Sequence, residues 1–276
     1  DLLGGRVRDR VRVYRNLWGR NPEEFASSAL EAVSRSMTAV KVSPAGPTPA
    51  VVSRSELESL TKVVAAVRDA VGPHVDLAVD LHGRLTPAAS RRAVHALAPL
   101  DPFFIEEPCL PDGSASHLAD LRALRTAQPI AIATGERLRS AHRFAEHLFP
   151  SPVVDIIQPD MLCCGGLLEA KKIAAVAEAH YVTVAPHNPL GLLSTAAGVH
   201  HAASINNFSI LEWHGDHRKK KSEFVNESWV PVNGAFELPT QPGIGMTLNH
   251  EAIAANPPAH WDRGFATYSD GSPGFL

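Results

Sequence analysis

Several short apolar runs along this chain end in a polar or ionisable side chain. From Asp80 onward these side chains recur at nearly even intervals, each close to the length of one strand plus one helix. In a barrel of parallel strands, the C-terminal strand ends meet at one mouth, where catalytic residues gather. The spacing therefore predicts a single site assembled from successive strand ends. In chain order its residues are Lys41, Asp80 with His82, Glu106, Glu136, Asp160, His187 and Glu212.

Three successive strand ends carry carboxylates, at Asp80, Glu106 and Glu136. Alternation along a strand allows only one of Glu106 and Glu107 to face the mouth, and the residue pattern leaves that choice open. One strand-end carboxylate alone is more typical of a helix cap, but three that converge repel one another unless a cation neutralises them. Oxygen ligands suit a hard divalent ion, so the pattern predicts Mg²⁺, with Mn²⁺ as the alternative.

Two histidines flank the predicted metal site. His187 follows the seventh strand, and Asp160 ends the sixth, where its carboxylate can hold the imidazole and raise its basicity. Such a pair is suited to removing a proton α to a carboxylate. His82 shares a strand face with Asp80, and we expect it to act as an acid on a leaving group.

The elements that must position these residues alternate between strand and helix. For example, Leu57, Leu60, Val63, Val64 and Val67 recur at helical spacing within residues 55–71, and an apolar strand, 75–80, follows. Eight such strands favour a parallel α/β barrel. A flat doubly wound sheet is the alternative, but its Gly-rich phosphate-binding turn is absent. We expect residues 1–228 to form the catalytic barrel. The irregular tail, 229–276, is expected to pack outside it or on another domain.

Composition sets the class of protein. The 276 residues are 45% hydrophobic and 20% charged, with a net charge of −3 and a pI near 6.6. These values give no reason to expect a nucleic-acid or membrane partner. The three cysteines do not suggest a disulfide framework, and no signal peptide is visible. We therefore expect a soluble cytoplasmic protein. Its predicted site is expected to bind a small molecule, and because barrels with such a tail often associate, we expect a homo-oligomer.

The motifs around these residues resemble the enolase superfamily. More narrowly, they are similar to its mandelate racemase subgroup and to the acid-sugar dehydratases of the D-galactonate type. The resemblance runs through six motifs in one order. They are Asp80-Leu81-His82-Gly83-Arg84, Phe104-Ile105-Glu106-Glu107-Pro108, Gly135-Glu136-Arg137, Gln158-Pro159-Asp160, Ala185-Pro186-His187-Asn188-Pro189 and Leu211-Glu212-Trp213.

The resemblance implies a modified (β/α)7β barrel and a role for each residue. Asp80, Glu106 and Glu136 would bind Mg²⁺, which selects Glu106 over Glu107. His187, paired with Asp160, would remove the α-proton, and His82 would protonate the departing 3-hydroxyl. The product would be a 2-keto-3-deoxy acid. Glu212 would hydrogen-bond the substrate, and Lys41 and Arg84 would contact it.

Position 43 favours dehydration over racemisation. The racemase subgroup often has Lys-x-Lys at the end of the second strand. Here Lys41 takes the first of these positions and Ser43 takes the second, so the site lacks a lysine base on the side of this strand. His82 is the remaining candidate for a second base, which keeps a racemase as an alternative. An unrelated metal-dependent barrel, such as an aldolase, would not depend on an Asp160–His187 pair.

The N-terminal end is the main departure from the family. Members carry an N-terminal α+β capping domain that closes over the site, and this sequence, which opens at Asp1 without a methionine, is expected to lack it. We expect either a fragment or a protein from which a segment was removed. A truncated, non-catalytic barrel with a structural or binding role is therefore the alternative to the dehydratase.

Overall fold

The computed structural model describes residues 2–46, 48–109, 114–215, 223–227, 229–259, 267 and 271. Within these residues, strands and helices alternate, with eight strands and seven helices before the C-terminal region. The strands are β1 (Arg10–Asn16), β2 (Ala39–Val42), β3 (Asp76–Asp80), β4 (Phe104–Glu106), β5 (Ile132–Thr134), β6 (Ile156–Ile157), β7 (Thr183–Val184) and β8 (Leu211–Trp213). The helices are α1 (Pro22–Ser34), α2 (Arg54–Val71), α3 (Pro87–Leu97), α4 (Ala115–Ala127), α5 (Ser140–Leu148), α6 (Leu167–Glu178) and α7 (Leu192–Ser204).

The strands form one curled sheet in the order β7-β6-β5-β4-β3-β2-β1-β8, and every neighbouring pair is parallel. The segment that leads into β8 meets β7. Val184 N donates to Asn207 O at 2.8 Å, and Ser209 N donates to Val184 O at 2.9 Å. These bonds bring the two ends of the sheet together. The prediction of a (β/α)7β barrel is confirmed, and the flat doubly wound sheet is excluded by the strand order.

Local sequence signals set the ends of the first two helices. Pro22 begins α1, and the side chain of Asn21 caps it by accepting from Glu24 N. Ser53 and Glu56 form a reciprocal capping box at the start of α2, which ends at Gly72 with φ of 73°. The helix predicted for residues 55–71 is thus confirmed. No helix in the described ranges is long and apolar enough to cross a membrane.

One apolar side chain from each strand region fills the barrel interior. The rings of Tyr14 and Phe104 meet edge to face at 6.0 Å, and most of the other positions are alanines. Side chains two residues further along share the same face, and there the lining becomes polar. The apolar set is Tyr14, Ala39, Ala78, Phe104, Ala133, Ile156, Ala185 and Ile210. Two residues on lie Asn16, Lys41, Asp80, Glu106, Gly135, Gln158, His187 and Glu212.

The C-terminal region returns to the first strand. Strand β9 (Ala235–Glu237) pairs antiparallel with β1, with Phe236 opposite Val11. The Phe236 ring contacts those of Trp213 and Trp229 at 6.3 and 6.0 Å. A short helix, α8 (His250–Ala255), follows. The predicted boundary between residues 228 and 229 stays a prediction, and most of the tail after residue 259 lies outside the described residues.

A buried histidine in α7 makes stability depend on pH. Burial lowers the pKa of His201 from 6.5 to about 4, and Lys171 lowers it further, against a backbone contact from Ala170. As the pH falls, His201 therefore becomes protonated near pH 6.5 in the unfolded chain but only near pH 4 in the native state. Between these values, wild type should lose about 3 kcal/mol more stability than His201→Leu. Urea unfolding at pH 7 and pH 4 measures the difference. Exposed His74→Leu is the control, and an equal loss in His201→Leu would contradict the prediction.

Candidate active site

Two of the three predicted metal ligands are deeply buried and lie on adjacent strands. Asp80 of β3 stands opposite Glu106 of β4 in the strand register. Burial raises the pKa of Asp80 to about 6, with Lys41 opposing the rise and Glu136 adding to it. Burial likewise raises the pKa of Glu106 to about 7, and Asp80 adds to that rise. Carboxylates held in this way favour a cation beside them.

Glu136 follows β5 on a turn that requires glycine. Gly135 has φ of 141°, and a Cβ there would lie 2.8 Å from Gln158 N and from the Phe144 ring. Glu136 Oε2 lies 3.4 Å from His187 Nε2. Among the described residues, no group of three or more His, Cys, Asp or Glu is arranged to hold a metal ion. The chemistry of the three carboxylates nevertheless fits a hard divalent cation, since all the donors are oxygens and two have raised pKa values.

Lys41 occupies the centre of the carboxylates. Its Nζ donates to both carboxylate oxygens of Glu106 at 2.8 Å, and lies 3.0 Å from Glu212 Oε1. Asp80 Oδ2 is 3.8 Å away. Burial alone would lower the pKa of this ammonium, but the carboxylates raise it well above its usual value. Lys41 is therefore a permanent positive charge inside the site.

His187 and Asp160 form the pair that the sequence predicts. His187 Nδ1 lies 2.8 Å from Asp160 Oδ2, and Leu162 N donates to the other oxygen of Asp160 at 2.7 Å. This leaves His187 Nε2 on the side of Glu136. Burial would lower the pKa of His187, but Glu212, Asp160 and Glu136 raise it to about 10. The imidazole is thus oriented by one carboxylate and made strongly basic by all three.

His82 lies on the other flank, beside Asp80. Its backbone adopts φ of 52°, its N–H donates to Asp80 Oδ1 at 2.8 Å, and its Nδ1 lies 3.1 Å from Asp80 Oδ2. Burial lowers the pKa of His82 to about 4, and Lys41 and Arg84 contribute to the lowering. The two histidines thus differ sharply in proton affinity within one site.

Glu212 joins the two ends of the sheet at the mouth. Asn16 Nδ2 donates to one of its oxygens at 2.7 Å, and Asn188 N donates to the other at 2.6 Å. His214 Nε2 lies 3.3 Å away. Burial would raise the pKa of Glu212, but Lys41 and the neighbouring histidines lower it well below its usual range. Glu212 is therefore a carboxylate held ionised by its neighbours.

The structure separates Glu106 from Glu107. Glu106 contacts Lys41, whereas Glu107, with φ of 42°, accepts hydrogen bonds from Thr134 Oγ1 and from Gly135 N. Burial raises the pKa of Glu107 to about 8. Glu106 is thus the one of the two that lies with the other candidate site residues, while Glu107 braces the turn before Glu136.

Arg84 connects two loops at the mouth. Its Nη1 donates to the carbonyl of Ala45, so it ties the loop after β3 to the loop after β2. Ser43 lies on that second loop, with its Oγ 3.5 Å from Asp80 Oδ2. The structure therefore places Arg84 at the edge of the mouth, within electrostatic reach of His82.

Three residues at the site carry no signal in the strand-end pattern of ionisable groups. Asn16 and Asn188 are neutral amides, and His214 follows a strand whose end is already marked by Glu212. All three contact the Glu212 carboxylate. Asn16 could be found by counting two residues past the interior Tyr14. Asn188 reaches the Glu212 carboxylate through its backbone N–H, which side-chain type cannot indicate.

Comparisons with known proteins identify the family of this chain. Residues 24–252 match the family described as enolase C-terminal domain-like. The chain is 36% identical to D-gluconate dehydratase of Thermoproteus tenax over 92% of its length, and 33% identical to D-galactonate dehydratase of Variovorax paradoxus over 99%. It spans 51% of the first enzyme and 72% of the second.

Solved structures show the same barrel. A mandelate racemase/muconate lactonizing enzyme from Jannaschia is 33% identical, with a TM-score of 0.86 over 95% of this chain and 69% of that one. An enolase from Agrobacterium radiobacter, solved with bound Na and L-malate, is 32% identical, with a TM-score of 0.88 over 100% of this chain and 73% of that one. The barrel, the family match and these relatives together show that the chain belongs to the enolase superfamily, as a C-terminal barrel domain of the mandelate racemase type.

Proposed function

We propose that this barrel dehydrates an aldonic acid, with D-galactonate as the preferred substrate, to a 2-keto-3-deoxy acid. The observation that carries the proposal is the 2.8 Å pairing of His187 with Asp160, since it aims His187 Nε2 toward Glu136 and the carboxylate-rich mouth. A base at that place can reach a proton α to a carboxylate that is bound beside it. Relatives named gluconate, galactonate and xylonate dehydratases support this substrate class.

Asp80, Glu106 and Glu136 are proposed to hold Mg²⁺, with Mn²⁺ as the alternative. The ion would supply positive charge for the substrate carboxylate as its α-proton leaves. A Glu136 carboxylate that bound the ion would also attract the His187 imidazolium less strongly, and this would favour the neutral, basic form of His187. Glu212, fixed by Asn16 and Asn188, lies on the His187 side, where it can accept a hydrogen bond from the substrate.

The proposed reaction removes one water. His187 Nε2 takes the α-proton, the electron pair forms the C2–C3 double bond, and the C3–O bond breaks. His82 in its protonated form gives a proton to the departing hydroxyl, which leaves as water, and the resulting enol becomes the keto acid. Negative charge developing on the substrate raises the proton affinity of His82, whose pKa is otherwise lowered by burial. Ser43 in place of a second lysine leaves that face without a lysine base, which supports dehydration rather than racemisation.

A substrate panel tests the proposal. We expect the full chain with Mg²⁺ to convert at least one of D-galactonate, D-gluconate and D-xylonate to a 2-keto acid, detected by NMR. Chelation with EDTA should stop the reaction, and Mg²⁺ or Mn²⁺ should restore it. Absence of both keto acid and α-deuterium incorporation across the panel, with either ion, would favour the non-catalytic alternative.

A further inference from the structure

Lys41 makes contacts that a side chain reserved for substrate would not make. Its Nζ lies within 3.0 Å of Glu106 and of Glu212, and its ammonium stands 5.1 Å above the centre of the Tyr14 ring. Lysine and carboxylates alike are almost fully buried. Its hydrogen-bonding capacity is thus largely directed at protein carboxylates, from two different strands.

These contacts link the two halves of the site. Glu106 belongs to the proposed metal side, and Glu212 belongs to the side of His187 and Asn188. Buried like charges repel strongly at low dielectric, so Glu106 and Glu212 need a cation between them to remain ionised and close. Lys41 supplies that cation from within the chain. Removal of one partner from such a buried pair leaves an uncompensated charge, which is strongly destabilising.

The same contacts oppose a second cation. Both Glu106 oxygens accept from Lys41 Nζ at 2.8 Å, so a divalent ion at Glu106 must share or take over oxygens that already serve the ammonium. Asp80 Oδ2 also forms an ion pair with this ammonium, at the longer distance of 3.8 Å, so an ion bound to Asp80 would meet the same positive charge. Two positive centres at neighbouring carboxylate oxygens also repel each other.

We propose that Lys41 is an internal counter-cation that competes with the divalent ion for Glu106. It keeps Glu106 and Glu212 assembled, and it weakens binding of the ion at the site. This inference rests on the metal site of the proposed function. It assigns Lys41 a positioning role rather than a catalytic one, and it explains why the carboxylates are grouped around an ammonium.

Calorimetric titration with Mg²⁺ tests the competition without any activity measurement. Lys41→Met, which keeps most of the length of the side chain and removes its charge, should bind Mg²⁺ at least tenfold more tightly than wild type. Its thermal unfolding midpoint without Mg²⁺ should fall, and Mg²⁺ should raise that midpoint more than it does in wild type. Lys171→Met is the matched control. Lys171 donates to the carbonyls of Leu3 and Ser204, away from the site, so its loss should leave Mg²⁺ affinity unchanged.

The outcomes separate this inference from the proposed function. Equal or weaker Mg²⁺ binding by Lys41→Met, with binding intact in wild type, overturns the competition and leaves the metal site standing. Absence of binding in both proteins overturns the metal site itself. Lys41→Gln, which keeps a polar donor, is the second variant if Lys41→Met is unstable, and the same increase in affinity is expected. Failure of both variants to fold at saturating Mg²⁺ would also contradict the inference.

Discussion

Replacing His187 by asparagine is expected to slow exchange of the substrate α-proton with solvent deuterium by about 10²- to 10⁴-fold. Asparagine keeps a polar side chain of similar reach but cannot take up a proton, so only the base function is removed. Asp160→Asn should act in the same direction, because it removes the carboxylate that lies 2.8 Å from His187 Nδ1 and raises its pKa. Proton NMR of a converted aldonate in D₂O, with Mg²⁺ present, gives the exchange rate directly.

The His82→Asn variant provides the contrast. His82 lies on the Asp80 flank rather than beside His187, so its loss should stop release of the 3-hydroxyl while α-proton exchange persists. His74→Asn, at an exposed position just before the N-terminal end of β3, should match wild type in both measurements. Exchange at the wild-type rate in His187→Asn would contradict the assignment of the base.

The second large effect concerns the floor of the site. Phe104 is fully buried in the barrel interior, two residues before Glu106 on the same face, with its ring against Tyr14. Phe104→Ala should cost about 3–5 kcal/mol of unfolding free energy, because the neighbouring interior positions are mostly alanines and cannot fill the cavity. Urea denaturation followed by circular dichroism measures this loss.

Two further variants separate cavity formation from a simple loss of an aromatic side chain. Phe104→Leu keeps most of the volume and should lose clearly less stability than Phe104→Ala. Phe149→Ala removes a ring that is 54% exposed, so we expect a small change in stability. Similar losses of unfolding free energy in Phe104→Ala and Phe149→Ala would show that the interior layer contributes less to stability than expected.

Much of the barrel could be predicted from local pattern. Strand β3 and helix α2 show their period and their stop signals directly, and the strand-end residues lie on consecutive parallel strands as expected. Helix α1 has an equally plain signal in Asn21 and Pro22. A search for charged residues at strand ends nevertheless misses α1, because the strand before it, β1, ends in Asn16, whose side chain is neutral. The strand limits shift by a residue or two because hydrogen bonding, rather than apolar character, ends a strand.

The partners within the site were harder to predict. Alternation along one strand indicates that Lys41 faces the interior. It cannot indicate that the Lys41 ammonium donates a hydrogen bond to Glu106, which lies two strands away. Such pairs depend on how far each strand is staggered against the next, which is a property of the closed barrel. The choice between Glu106 and Glu107 likewise depends on the left-handed backbone at Glu107, a conformation that Glu rarely adopts.

The first strand of the chain pairs with three other strands. β1 pairs with β2, with β8 and with β9, and the last two partners begin about two hundred residues later. During vectorial synthesis, this strand therefore waits with one side open until nearly the whole chain has left the ribosome, and open strand edges invite pairing with other chains. The hydrogen bond from Asn16 to Glu212 spans that same seam. Completion of the substrate-facing wall and sealing of the aggregation-prone edge are thus one event in the folding of this protein.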